Sequence, residues 1–365
     1  MKRTLINIAI LSTILGTGMA QAGGWDRSGQ DTSIILKEGN LLEVTSVSVT
    51  PKVTGTYATT PIGATTGEVL PNYSFTTMGF RTDISDNMAL AIIQDTPFGA
   101  EVSWTGGGYN GVKAKVSSSA TTLLMSYDLD NVTVYGGLKN QSFEASATVL
   151  PSVMAYSITS TPDTSLGYVL GAAIENPEIA MRVALTYHSA VKHDVAVVET
   201  SPYGANKAST LSAKTPSSFN LDFQTGIAEN TLLFGTIRSV NWTQTLLRPT
   251  EYAKYAGSPS LKEFTQDTVS YSLGLGRKFS DHWSGAVTYG TESAEGVAGG
   301  PLGPTDGYNK MGLGVTYTGE QATITLGMQK VNLGDTSAEA AGGAIKATMA
   351  GNTATVTAVK VGYKF

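Results

Sequence analysis

The chain has 365 residues, a formal charge of -5, no cysteine and only 15% charged residues. Soluble domains usually carry roughly 25%, and an acidic chain without a basic cluster is not a nucleic-acid binder. Without cysteine there is no disulfide framework of the kind small exported domains use.

At the amino end Lys2 and Arg3 precede a mostly apolar run over 5–15. Ala20-Gln21-Ala22 then supplies the small-x-small pattern that a signal peptidase reads. We expect a signal peptide over 1–22 and a mature chain from Gly23; its loss removes two basic residues and takes the charge from -5 to -7. The apolar run is too short to cross roughly 30 Å as a helix, and no later stretch reaches about 18 apolar residues. Helical spans are excluded. Barrel strands are not, because alternation leaves hydropathy near zero, and the mean hydropathy is -0.00.

Residues 23–40 contain one apolar run, Ile34-Ile35-Leu36, too little to fold alone. From Leu41 onward strands are expected near 41–54, 73–82, 88–104, 112–127, 132–149, 166–174 and 179–198, then 215–227, 231–243, 267–279, 283–293, 308–318, 321–333 and 353–365. That is about fourteen, an even number, as single-chain bacterial barrels require. Short turns near 83–87, 128–131, 175–178, 228–230, 280–282 and 319–320 alternate with long connections near 55–72, 151–165, 199–214, 244–266, 294–307 and 334–352. Such alternation matches short periplasmic turns and long outer loops; a β-sandwich would not impose it. The expected fold class is all-β, a transmembrane antiparallel β-barrel over 41–365 with 23–40 as an N-terminal plug.

The faces follow from parity. Met311, Leu313, Val315 and Tyr317 face lipid, as do Val269, Tyr271, Leu273 and Leu275, and Ile179, Met181, Val183, Leu185 and Tyr187. Arg182 and His188 then face the lumen. Phe219, Leu221 and Phe223 face out, with Asn220, Asp222 and Gln224 inside. Asp222 and Arg238 lie nearly equidistant from the turn at 228–230, both on the inward parity, and are expected to pair. Trp104, Tyr127, Trp242, Trp283, Tyr289, Tyr308 and Tyr317 near strand ends read as interfacial girdles. Arg277 breaks the apolar face of its strand and belongs at the periplasmic rim, where a cation on the lipid side costs little. In the last strand Val359, Val361, Tyr363 and Phe365 share one face. That ending resembles the terminal strand of bacterial outer-membrane barrels, whose final aromatic serves the assembly machinery.

Catalytic chemistry finds no constellation. His188 and His193 are an odd number apart, so a regular strand places them on opposite faces, and His282 lies in a turn. Ser189 points away from His188, so no Ser–His pair forms. No phosphate-cradling loop occurs. We expect no enzyme, metal or cofactor.

Two features stand out. In Gln94-Asp95-Thr96-Pro97-Phe98-Gly99-Ala100-Glu101, Pro97 cannot donate to a ladder and Gly99 weakens one, so the third strand should bend or lose a partner there. The second is the stub 23–40, which could fill the lumen. A signal peptide, a plug opening on Gly23-Gly24-Trp25, a kink at Pro97-Phe98-Gly99, about fourteen strands and a terminal Phe365 together resemble the FadL family of outer-membrane hydrophobe transporters. The plug, about 18 residues, is shorter than in that family, and the outer loops have no obvious amphipathic helix. The resemblance implies passive uptake of long-chain fatty acids or aromatic hydrocarbons. They would bind beneath the loops and leave sideways at the kink past an amino-terminal gate. The implied ligand and gate residues are Gly23, Gly24, Trp25, Tyr73, Phe75, Ile93, Pro97, Phe98 and Gly99. The implied partners are a hydrophobic small molecule, outer-membrane lipid or lipopolysaccharide, and the assembly machinery through Phe365, for a monomer in the bacterial outer membrane. A general diffusion porin and a structural or adhesive barrel are the competing readings.

Overall fold

A computed structural model describes residues 24–59, 61–149, 155–255, 260–296, 298–339 and 344–365. The proposed signal peptide and Gly23 lie outside them. Eighteen ladder segments form one closed antiparallel sheet. Four strands are each interrupted once, so the barrel has fourteen. They are β1 Leu41–Lys52, β2 Tyr73–Ser85, β3 in two segments (Met88–Asp95, Gly99–Ser103), β4 Lys113–Leu129 and β5 Val132–Val149. Next come β6 (Tyr156–Ser160, Asp163–Asn176), β7 (Met181–His188, Val191–Ser201) and β8 (Gly204–Thr215, Ser218–Ala228). The remainder are β9 Thr231–Val240, β10 Thr268–Lys278, β11 Trp283–Glu292, β12 Tyr308–Thr318, β13 Ala322–Leu333 and β14 Thr353–Lys364.

Closure comes from β1 pairing β14 along its whole length, Leu41 opposite Lys364 through Lys52 opposite Thr353. No edge is left at this seam, which is how barrels avoid open strands. The short turns fall where expected. In two of the expected long loops most of the described residues are strand. Residues 156–165 extend β6 and 204–214 extend β8, so β7 and β8 form a tall hairpin, Val191 opposite Thr215 and Ser201 opposite Gly204.

The interruptions invert the strand faces. In β7, Val183 and Leu185 are exposed to lipid, whereas Val191, Val195 and Val197 are buried inside, although all have odd numbers. In β8, Leu211 and Ala213 face in and Phe219 faces out; in β6, Tyr156 and Ile158 face in while Leu166, Tyr168 and Leu170 face out. The breaks at 161–162, 189–190 and 216–217 add the odd residue that turns each strand over. Register survives because neighbours shift together: His188 lies opposite Ser218, and Val191 opposite Thr215. Below the breaks apolar side chains meet lipid; above them the same periodicity lines the lumen. One expectation fails for this reason: His188 and His193 both point inward and are buried.

At the height of the breaks an aromatic ladder, Tyr168–Tyr187 at 5.9 Å and Tyr187–Phe219 at 4.9 Å, lies along the lipid side. Tyr127, Trp283, Tyr289 and Tyr317 are exposed, as girdle residues should be. Trp104, Trp242 and Tyr308 are not: each is buried inside the outer half of the barrel, because a large ring there covers more apolar surface in the lumen than at the interface.

Residues 24–40 run inside the lumen in two parts. The 3₁₀ turn Ser33–Leu36 buries Ile34, Ile35 and Leu36 against Ala89, Ala91, Ile93, Leu124, Tyr135 and Val169. Each side chain contributes roughly 2 kcal/mol by burial. Arg182 donates to the Leu36 carbonyl at 2.8 Å and Arg81 to that of Gly39 at 2.6 Å. Lys37 pairs with Glu43, which also meets Lys360. Between this anchored half and residues 24–28 stand Gly29 and Gln30, both left-handed, at φ 67° and 55°. Two consecutive residues of this kind make a sharp corner.

Candidate functional site

Ladder pairing of β3 with β2 runs only from Met78 opposite Gln94 down to Ser85 opposite Met88. Above it, β3 pairs only with β4, as Gly99 lies opposite Ser117 and Ser103 opposite Lys113. The β3–β4 register slips by one residue across Pro97, from Asp95 opposite Ala120 to Gly99 opposite Ser117. Pro97, with no N–H to give, sits in this bulge. The result is a window. Its sides are Tyr73 to Thr77 and residues 95–102, its floor the Met78–Gln94 pair, and its top the Ser103 N–H bonded to the Val69 carbonyl at 2.8 Å.

The amino-terminal segment closes this window from inside. Arg27 N–H donates to Pro97 O at 3.0 Å, Ser28 N–H to Thr96 O at 3.0 Å, and Gly99 N–H to Trp25 O at 2.7 Å, with Asp26 opposite Phe98. Arg27 straps the two edges together: its Nε donates to the Gly99 carbonyl at 2.7 Å on the β3 side, and its guanidinium lies 3.3 Å over the Tyr73 ring on the β2 side. Ser28 donates to Asp95 at 2.5 Å.

Asp26 forms a bidentate pair with Arg238, at 2.7 and 2.9 Å. This corrects the expected Asp222–Arg238 pair. Register places Asn220 opposite Arg238 and Thr236 opposite Asp222. Accordingly Arg238 also donates to Asn220, Ser218 and Gln30, while Asp222 accepts from the Thr236 hydroxyl at 2.6 Å. Both charges face the lumen; the partner for Arg238 comes from the inserted segment, which strand counting does not see.

Above Asp26 lies an aromatic cluster. Trp25 meets Phe264 at 5.2 Å and Trp242 at 6.4 Å, and Phe98 meets Trp242 at 5.6 Å. Gly24 is packed against the Trp242 ring with no room for a Cβ. Trp25 is also the floor of an apolar cavity. Ala100, Ala114, Ala145 and Ala147 line one wall, their small size leaving the space, and Ile158 and Leu211 from the inverted segments line another. Leu247, Leu261 and Lys262 close it from the loop between β9 and β10, which also carries helix α1, Thr250–Tyr255. Buried Glu199 holds α1 by accepting the N–H groups of Glu251 and Tyr252 at 2.9 and 3.3 Å. The free volume is about 40 Å³. Lys262 stands at the rim, its ammonium 4.5 Å over the Phe264 ring. Burial lowers this amine below the usual lysine range, partly offset by Glu295.

Beneath the cavity the lumen turns polar. Lys139, Gln141, His188, Arg238, Asp95 and Ser28 are all buried there. Gln141 donates to Thr215 at 2.9 Å and Lys139 to the Ser189 carbonyl at 3.3 Å. His193, bonded to Asp163 at 2.9 Å and stacked on Phe143, belongs to the wall above. Of the residues expected at the site, Gly24, Trp25, Tyr73, Pro97, Phe98 and Gly99 meet at the window. Phe75 faces inward in the adjoining apolar cluster with Val102 and Trp104, and Ile93 packs against Ile34 and Ile35 in the lower seat. Asp26, Arg27, Phe264 and Lys262 were not singled out from sequence, and Trp242 was read as a girdle residue. Adjacent charges in a segment bound for a lumen, Asp26-Arg27, are the one sign that partners were needed. Among the described residues no group of three or more His, Asp or Glu could hold a metal ion.

This is a closed β-barrel with an inward-folded amino terminus and a lateral interruption in its wall. Solved structures share it. A Pseudomonas aeruginosa FadL homologue superposes with a TM-score of 0.77 at 14% identity, covering 97% of this chain and 98% of its own. The P. putida toluene transporter TodX gives 0.66 at 11%, covering 90% and 91%. The Ralstonia pickettii toluene transporter TbuX gives 0.63 at 11%, covering 97% and 98%. No family model and no curated protein sequence matches. The chain has the fold of the FadL-type transmembrane barrels.

Proposed function

We propose that this protein is a passive outer-membrane transporter of hydrophobic small molecules, which leave sideways through the β2–β3 window. Residues 1–22 are its signal peptide, 23–40 its plug and 41–365 its barrel, with Phe365 read by the assembly machinery and lipopolysaccharide around the outer half. The observation that carries this reading is the layering of the lumen: an apolar cavity rests on a layer of buried charges. An apolar ligand cannot continue downward without displacing Asp26, Arg238 and Lys139 from their partners. Sideways, it meets Trp25, Phe98, the Arg27 strap and the short ladder between residues 25–28 and β3, and beyond them lipid.

The filled lumen speaks against a diffusion porin, which needs an open, charged constriction. A cavity that holds benzene measures about 150 Å³, so the roughly 40 Å³ present must enlarge to receive even a small ring. Trp25 is the lining residue that belongs to the plug, so an occupant that displaces it also pulls on the window strap. Lys262 at the rim favours a ligand with an anionic end, and hence fatty acids over neutral aromatic hydrocarbons.

The chain lacks cysteine, so one engineered pair can lock the gate. Ser28 and Thr96 are neighbours in the plug–β3 ladder, and Ser28→Cys with Thr96→Cys should form a disulfide there. Oxidised cells should take up a labelled fatty acid at a small fraction of the wild-type rate, and reductant should restore it. Wild-type uptake with the bond fully formed would refute the window as exit.

A further inference from the structure

A second groove lies away from the window, on the lipid face at the short-turn end of β10 to β13. It measures about 670 Å³, within the range of ligand sites. Its row nearest the turns reads Arg277, Gly285, Val315, Leu326 across four strands, and the next row Leu275, Val287, Leu313, Met328. Gly285, directly opposite Arg277, has no side chain there and so seats the edge of the Phe279 ring, 2.9 Å from where a Cβ would stand; the ring borders the groove on the turn side.

Arg277 is exposed on this face, and its only side-chain bond among the described residues is from Nη1 to the Thr231 hydroxyl at 3.1 Å. No carboxylate of the described residues lies within ion-pair distance. Phe279, Trp283 and Tyr317 form the aromatic level beside it, Trp283 and Tyr317 at 5.1 Å. Arg277 is two residues further into the membrane than Phe279, about 5 Å along the normal for a tilted strand. A guanidinium there, even where it costs little, is well placed to take an anion, and the medium offers a phosphate.

We propose that this groove seats one inner-leaflet phospholipid, the phosphate on Arg277 and an acyl chain against the Phe279 ring and along the leucine and valine row. The leaflet follows from the topology proposed above; binding of the lipid does not depend on transport.

Native mass spectrometry of the full barrel in mild detergent, titrated with phosphatidylethanolamine, tests it. Wild type should retain one lipid. Arg277→Gln and Gly285→Leu, which drives the Phe279 ring out across the groove, should each weaken retention at least tenfold, with Arg277→Lys intermediate and heat-modifiable gel mobility unchanged in all. Unaltered retention in either Arg277→Gln or Gly285→Leu would overturn the site. So would displacement of the lipid by inorganic phosphate, which would make it a site for free anions. Uptake is not measured in any arm, so failure here leaves the transport reading standing.

Discussion

At the scale of single residues, Arg27 carries the closed state of the wall. One charged hydrogen bond to Gly99 and one cation–π contact with Tyr73 hold two strand edges that share no ladder. Together such contacts are worth about 2 kcal/mol or somewhat more. Arg27→Ala should therefore raise the population of open windows roughly thirtyfold. The check is influx of a hydrophobic fluorophore into cells with matched barrel levels; an unchanged rate would mean that the backbone pairing of 25–28 alone closes the gap. Little of this was legible in the sequence. Pro97 and Gly99 announced a broken ladder because their effects are local to the backbone. Tyr73 gave the right face but not its partner, since a cation from residue 27 approaches through space. Trp104 and Trp242 misled for a related reason: an aromatic near a strand end serves equally at the lipid interface or in a lumen, and only the packed loops decide.

At the scale of elements, the inserted segment is two devices joined at Gly29-Gln30. Its carboxyl half is seated by apolar burial and carbonyl bonds, while its amino half is held by a short ladder and by Asp26 on Arg238. The two should respond differently to one change. Asp26→Asn leaves Arg238 short of its charge partner in a buried place, a loss that can reach about 3–5 kcal/mol, and should release residues 24–28. Hydrogen exchange should rise across that stretch and stay slow over 33–39. Equal loosening of both halves would show the corner at Gly29 to be no hinge. Strand counting recovered all fourteen strands from alternation, yet gave 156–165 and 204–214 to loops. Their Ser, Thr and Gly content reads as turn chemistry, but backbone pairing with β5 and β7 is what fixes them as strands.

At the scale of the whole molecule, the wall is closed at its seam and open at one window, and these are separable. Phe365 lies at the seam, exposed, stacked near Phe80 and Tyr363, its N–H donated to the Asn40 carbonyl at 3.2 Å. Phe365→Ser should lower the amount of assembled barrel and leave uptake per folded molecule unchanged. Heat-modifiable mobility beside uptake normalised to folded protein measures both, and normal yield would count against an assembly role. The face inversion in β6, β7 and β8 has a further consequence for how such a wall can change over evolutionary time. Substitutions at Ile158, Leu211 or Val195 alter the cavity one side chain at a time. Gaining or losing a single residue at 161–162, 189–190 or 216–217 would instead exchange an entire half-strand's cavity lining for its outward polar set. The cavity can thus be retuned by point changes alone, while the length of these three strands is frozen.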